Sequence, residues 1–244
     1  LGTGSTAGWL AQIPSLERVD VVEMEPAILE VAKACAAVNA DVLNNPKVRV
    51  MLGDGREVLL TTHDTYDLIV SEPSHLYRAG VASLFTRDFY RAVAPRLRAG
   101  GLFLQWVQAY NIDIRALQTV YASLQSVFPA VETWRTKPSD LLLISSLQPL
   151  EYDLAHLRAR MESEPYRTAL ERVWRVDDVV GVFARYIAND RFAALMAQSR
   201  GARPNTDDRN FLEFVSARNY VRISGDQIAT ISRLALAHRV ARPQ

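Results

Sequence analysis

A single cysteine in 244 residues, Cys35, leaves no partner for an internal disulfide and suits a reducing compartment. It shares a helical face with Ile28, Val31, Ala32 and Val38, which places it in the core rather than at a reacting centre. No apolar run reaches the ~18 residues that a membrane-crossing helix needs, and no stretch reads as a signal peptide. The net charge is +1 without a long basic run, so no field recruits nucleic acid. His63 and His156 stand apart, no Cys–His cluster points to zinc or any other metal, and no nucleophile-elbow serine occurs. Internal repeats and low-complexity segments are missing too. What is present is 49% hydrophobic content, enough to bury a substantial core as one domain with an appendage.

The most informative stretch is the first. Gly2, Gly4 and Gly8, with small residues between them, allow a sharp turn and a close approach of backbone to a ligand. Trp9, Leu10 and Ile13 then begin a helix whose first N–H groups face that ligand. The run from Val19 to Val22 is a strand ending in Glu23 and Glu25, about 20 residues past the glycines, where a nucleoside's ribose hydroxyls are held. Such a loop normally follows a buried central strand, which is not among these residues. The expectation is a piece of a longer protein whose isolated chain is poorly stable.

Strands and helices then alternate, as in a parallel sheet with crossover helices. Pro26 to Val38 reads as a helix, Val48–Leu52 as a strand, and Gly53-Asp54-Gly55-Arg56 as the loop at its end. Asp67–Ser71 is a continuous apolar strand of the kind buried on both faces, ending in Glu72-Pro73-Ser74-His75. Thr86–Leu97 is expected to be helical and capped by Ala99-Gly100-Gly101, with a strand over Leu102–Trp106. Ile114–Phe128 is a helix; Val131–Trp134 and Leu141–Ser145 are a closing pair of strands. Residues 1–150 thus form a nucleoside-binding domain. Residues 151–244 read as a helical extension without strands: Leu154–Met161, Tyr166–Val173, Arg191–Gln198 and a basic surface helix running to Gln244.

In an open parallel sheet the carboxyl ends of the strands form the binding crevice, so the glycines and the acids at these ends are expected to converge. Glu23 can accept two hydrogen bonds from ribose hydroxyls, Glu25 would lie beside the ligand's tail, and Asp54, followed by Gly55, can accept from an adenine amino group. Glu72 would face the reactive centre. Gln105 and Tyr110, past a further strand end, either line a substrate channel or are simply core-edge residues. Asp207 and Asp208 either fold back over the crevice or form a turn and helix cap.

As a set, Gly-Thr-Gly-Ser-Thr-Ala-Gly at 2–8, Val-Val-Glu-Met-Glu-Pro at 21–26, Gly-Asp-Gly-Arg at 53–56, Tyr-Asp-Leu-Ile-Val-Ser-Glu-Pro-Ser at 66–74 and Ser83–Tyr90 resemble a spermidine synthase. Ala79–Ser83 and Asn205-Thr206-Asp207-Asp208 are similar to the bacterial branch in which the domain follows membrane-spanning helices. The resemblance implies a class I S-adenosylmethionine methyltransferase-like (Rossmann-like) α/β fold. It also implies aminopropyl transfer from decarboxylated S-adenosylmethionine to a diamine such as putrescine, without a metal. By position, Glu23 matches the ribose-binding acid, Asp54 the adenine-site acid, Glu25 the acid near the donor's amine, and Glu72 the catalytic aspartate. Ser74 and His75 fall in the amine-binding loop. It further implies a cytoplasmic protein, tethered to the inner face of the membrane if such helices precede, with a homodimer among the family's usual assemblies.

One departure matters. The family usually has Asp-Ser-Ser-Asp where this chain has Glu72-Pro73-Ser74-His75, and an imidazole cannot grip the diamine's far ammonium as an acid does. Two alternatives therefore stay open: a small-molecule methyltransferase using ordinary S-adenosylmethionine, and a nucleoside-binding module that no longer turns over. A nicotinamide oxidoreductase would have no use for the Gly-Asp-Gly and Glu-Pro-Ser strand ends.

Overall fold

The computed structural model describes residues 1–76, 78, 80–214 and 227–243. Ala79 of the Ala79–Ser83 motif, residues 215–226 of the expected C-terminal helix, and Gln244 lie outside them. The chain divides into two units, Leu1–Thr62 with Asp153–Gly181, and His63–Tyr152 with Val182–Gln244. The division thus cuts across the expected boundary at residue 150, because 153–181 and 182–244 belong to different units. Among the described residues no helix is long and apolar enough to cross a membrane.

In the first unit the glycine turn leads into α1 (Ser5–Ala11), followed by β1 (Val19–Glu23), α2 (Ala27–Ala34), β2 (Val48–Leu52) and α3 (Gly55–Thr61). β1 and β2 are parallel, in register from Val19 with Val48 to Glu23 with Leu52. Their β-branched residues supply the core: Val21 joins Ala7, Ala32 and Val42, with Val19, Val48 and Val50 packed against them. On the other face Arg49 grips Asp20 through Nε and Nη2, both at 3.1 Å. α2 starts after Pro26 as expected but stops at Ala34, with Cys35 as its C-cap. The expected apolar face is therefore cut short. Ala32 is buried, Cys35 is half-buried, and Val31 and Val38 are 44% and 69% exposed. The unit is completed by the helix Leu154–Glu162, capped by the Asp153 carboxylate, and the turn Tyr166–Ala169.

The second unit holds a five-stranded sheet in the order β3 (Tyr66–Ser71), β4 (Leu97–Gln108), β6 (Asp140–Ser146), β5 (Ala130–Lys137), β7 (Tyr186–Ala188). β3 and β4 are parallel and the remaining pairs antiparallel. α4 (Arg87–Val93) and α5 (Ile114–Gln125) are capped by the side chains of Thr86 and Asp113. Tyr90, Phe103 and Phe128 meet at ring distances of 5.5 to 6.4 Å and form the centre of the core.

Four expectations change here. The helix before β4 ends at Val93, one 3-10 turn (Ala94–Arg96) follows, and Ala99–Gly101 lie inside β4 rather than capping a helix. β3 lies at the edge of its sheet with Leu68, Ile69 and Val70 half-buried, not covered on both faces. A strand, β7, interrupts the expected all-helical extension and pairs with β5. The C-terminal helix, Gln227–Ala237, stops short of the expected end at Gln244; it buries Ile228, Ile231 and Ala235 on one face and leaves Leu236 exposed.

Candidate functional site

The glycines and first acids belong to the first unit. Gly2 and Gly4 take left-handed φ values of +56° and +78°, which only glycine adopts without strain. A Cβ on Gly2 would meet nothing within 4 Å, so the outside of the turn is open. Gly4 and Gly8 face inward instead. A Cβ on Gly4 would lie 2.6 Å from Val42 Cγ1, and one on Gly8 would lie 1.8 Å from the Asn39 carbonyl oxygen. These two glycines serve close packing of the turn, as the last glycine of a nucleotide-binding fingerprint does.

Asn39 went unnoticed in the sequence. It is fully buried; its amide donates to the Thr3 and Ala32 carbonyls, both at 2.7 Å, and its Oδ1 accepts the Val42 N–H at 3.3 Å. It ties the glycine turn to the end of α2. The one local signal was a lone amide after Ala36-Ala37-Val38.

At the tip of β1, Glu23 Oε1 accepts the Glu25 N–H at 3.0 Å and Oε2 accepts from the Leu1 amino group at 3.1 Å. Partial burial pushes its carboxyl up. The hydrogen bonds it accepts, those from the Glu25 and Gly2 N–H groups among them, outweigh this and hold it below the ordinary glutamate value. Glu23 is therefore an ionised acceptor at neutral pH. Glu25 accepts the Ala27 N–H at 3.0 Å. The Gly53 N–H bonds the Glu23 carbonyl at 2.9 Å, which brings the loop after β2 to the tip of β1. Asp54 in that loop caps α3 by accepting the Arg56 N–H at 2.8 Å, and Gly55 approaches Val22. The structure thus brings Gly2, Gly4, Glu23, Glu25, Asp54 and Gly55 to one end of the β1–β2 pair.

The remaining candidates belong to the second unit. Glu72 and Ser74 are exposed in the loop that leaves β3, and His75 is half-buried. The His75 N–H donates to Gln108 Oε1 at 2.7 Å, and Gln108 Nε2 donates to the Tyr110 hydroxyl at 2.7 Å. Gln108, which the sequence did not single out, thus joins two expected residues. Tyr110 is 48% exposed. Gln105 does not lie past a strand end: it sits within β4, fully buried, with Nε2 directed to the Ser71 and Trp106 carbonyls and Oε1 accepting from Tyr90. Its alternation with Phe103 and Val107 on one strand face gives the reason. Gln105 belongs to the core.

Asp207 and Asp208 are exposed in a turn anchored by Asn205. Asn205 is fully buried; its N–H donates to Ser123 Oγ at 2.8 Å, its carbonyl accepts the Arg87 N–H at 2.8 Å, and its amide reaches Ala82 and Asn210. The Asp207 N–H donates to Asp88 at 3.0 Å. This matches the turn reading, with the turn fixed against the start of α4.

An open glycine turn entering a helix, a carboxylate at the tip of the next strand and strands joined by helices define a class I methyltransferase-like fold. Human methyltransferase-like protein 13, solved with SAH, shares it: the TM-score is 0.53 at 23% identity, over 72% of this chain and 79% of that one. The spermine/spermidine synthase domain model matches residues 2–140, and the chain belongs to that family. A polyamine aminopropyltransferase of Nitrosomonas europaea is 30% identical over 134 residues, 54% of this chain and 41% of that protein. Putrescine N-methyltransferase 2 of Nicotiana attenuata is 28% identical over 141 residues, 57% of this chain and 38% of that protein. The chain therefore spans about two fifths of these curated relatives.

Proposed function

We propose that this chain carries out aminopropyl transfer from decarboxylated S-adenosylmethionine to a diamine such as putrescine. The observation that carries the reading is the ionised Glu23 at the tip of β1, gathered with Asp54 and the open Gly2 turn at one end of the β1–β2 pair. A carboxylate accepts from two vicinal ribose hydroxyls, and a second one accepts from an adenine amino group. Membership of the spermine/spermidine synthase family and the aminopropyltransferase relative support the donor and the acceptor class.

Glu72 supplies the chemistry. The amine must be neutral to attack the carbon next to the donor's sulfonium, so Glu72 takes the ammonium proton. The new C–N bond forms as the C–S bond breaks, neutral 5′-methylthioadenosine leaves, and the proton passes from Glu72 to water. The same negative charge draws in the cationic diamine. No metal enters this reaction. The full protein is proposed to work in the cytoplasm, free or tethered at the membrane's inner face, with a homodimer among its assemblies.

The putrescine N-methyltransferase relatives favour a second reading, methyl transfer to the same kind of acceptor. Incubation with putrescine and either labelled donor separates the two. Aminopropyl transfer from the decarboxylated donor alone is expected; methyl transfer from ordinary S-adenosylmethionine would replace the first reading with the second. Donor binding by calorimetry without release of 5′-methylthioadenosine from any diamine would leave a binding module, the outcome His75 would explain.

A further inference from the structure

We propose that Gln108 is a positioning residue whose side-chain amide holds the loop bearing Glu72 in the shape that proton transfer needs; the proposal rests on the aminopropyl-transfer reading above. β4 outruns β3. Ser71, the last residue of β3, pairs with Gln105, while β4 continues three residues farther to Gln108. That overhang brings the Gln108 amide to the loop, where Oε1 accepts the His75 N–H and Nε2 donates to the Tyr110 hydroxyl. A main-chain N–H only donates, so it fixes which end of the amide faces His75; the hydroxyl takes the other end.

His75 is the residue that most needs holding. Its φ of +63° lies in the left-handed region, unfavourable for a residue with a Cβ. Its carbonyl accepts the Arg78 N–H at 2.8 Å, and the next side chain, Leu76, is 7% exposed. At the other end of the loop, Glu72 is bracketed by buried Ser71 and by Pro73, whose ring restricts the residue before it. Both ends of the Glu72–His75 loop are thus fixed, the far one by a side chain from the neighbouring strand. Without the Gln108 acceptor, His75 relaxes toward negative φ and Glu72 loses its aim. A misplacement of about 1 Å costs a reaction on the order of a hundredfold.

The test compares Gln108→Leu, which lacks the acceptor, with Gln108→Glu, which keeps one. Hydrogen exchange over 72–76, turnover with putrescine and decarboxylated S-adenosylmethionine, and affinity for that donor are measured on the full chain. In Gln108→Leu the His75 amide is expected to exchange faster and kcat to fall roughly tenfold to a hundredfold, with donor affinity unchanged. Gln108→Glu is expected to restore the protection and most of the turnover. Unchanged exchange and turnover in Gln108→Leu overturn the proposal. So does an equal loss of donor affinity in both variants, since general loosening produces that. If the parent chain turns over no diamine, the functional reading falls, and the exchange difference alone decides whether Gln108 holds the loop.

Discussion

If Glu72 takes the acceptor's proton as proposed, the difference between binding and turnover there is a single proton. Glu72→Gln keeps the size and removes the basic oxygen, so kcat with putrescine is expected to drop by roughly two to four powers of ten. Calorimetry should find the donor bound as before, because Glu23 and Asp54, the donor contacts proposed above, are untouched. The glycines separate by role in the same way. Gly8→Ala forces a Cβ against the Asn39 carbonyl and is expected to cost about 1–3 kcal/mol in a urea titration. Gly2→Ala meets open space and bears only the left-handed φ, about 1–2 kcal/mol. Its larger effect should be on donor affinity, since its added methyl stands on the open side of the turn.

Among the elements, β5 carries an arrangement with its own pH signature. Glu132 is 4% exposed and accepts from Trp134 Nε1 at 3.3 Å, from Tyr186 at 3.2 Å and from the Tyr152 hydroxyl. Trp134, Tyr152, Phe183 and Tyr186 close around it, with the Trp134 and Tyr186 rings 5.0 Å apart. Burial pushes the Glu132 carboxyl above its ordinary value of 4.5, and Asp190 adds to this; the three hydrogen bonds oppose it without cancelling it. The folded state therefore holds its proton to higher pH than the unfolded chain does. Its contribution to stability is full below 4.5 and declines as pH rises through the raised value. Glu132→Gln is expected to flatten that decline in urea midpoints measured across the acidic range. The C-terminal helix is a second test at this scale. Ile228 and Ile231 are buried, and Asn189 bonds the Val240 and Arg242 carbonyls. Deleting 227–244 should cost several kcal/mol, at about 1.5–3 per buried isoleucine.

Local pattern made most of these elements legible. Apolar runs gave β1 and β2, and the expected helix starts at Thr86 and Ile114 lie within one residue of those of α4 and α5. It failed where a partner far along the chain decides. Gly100-Gly101 read as a helix stop, yet a Cβ on Gly101 would come within 3.1 Å of the Tyr66 carbonyl, so this glycine admits the neighbouring strand. β7 has three residues, and its pairing with β5 makes it a strand. The site divides along the same line. The glycine turn and the strand-end acids are contiguous motifs, whereas Asn39 and Gln108 act on main-chain groups 36 and 33 residues away.

For the whole molecule, the expected boundary at residue 150 yields a specific failure. A fragment 1–150 would lack Tyr152 and β7, leaving Glu132 without two of its hydroxyl donors, and would lack 153–181 of the first unit. It is expected to be less stable than the full chain in a urea titration. The interleaving of the two units also has a temporal side. Residues 1–62 leave the ribosome well before 153–181, the segment that completes their unit, with all of His63–Tyr152 emerging in between. At translation rates of about 5–20 residues per second, the nascent β1–β2 pair waits roughly 5–20 s for its missing helices. Over that interval an unfinished parallel ribbon is exposed to trigger-type chaperones, and synonymous codons that lengthen the pause would lower the yield of folded protein without changing one amino acid.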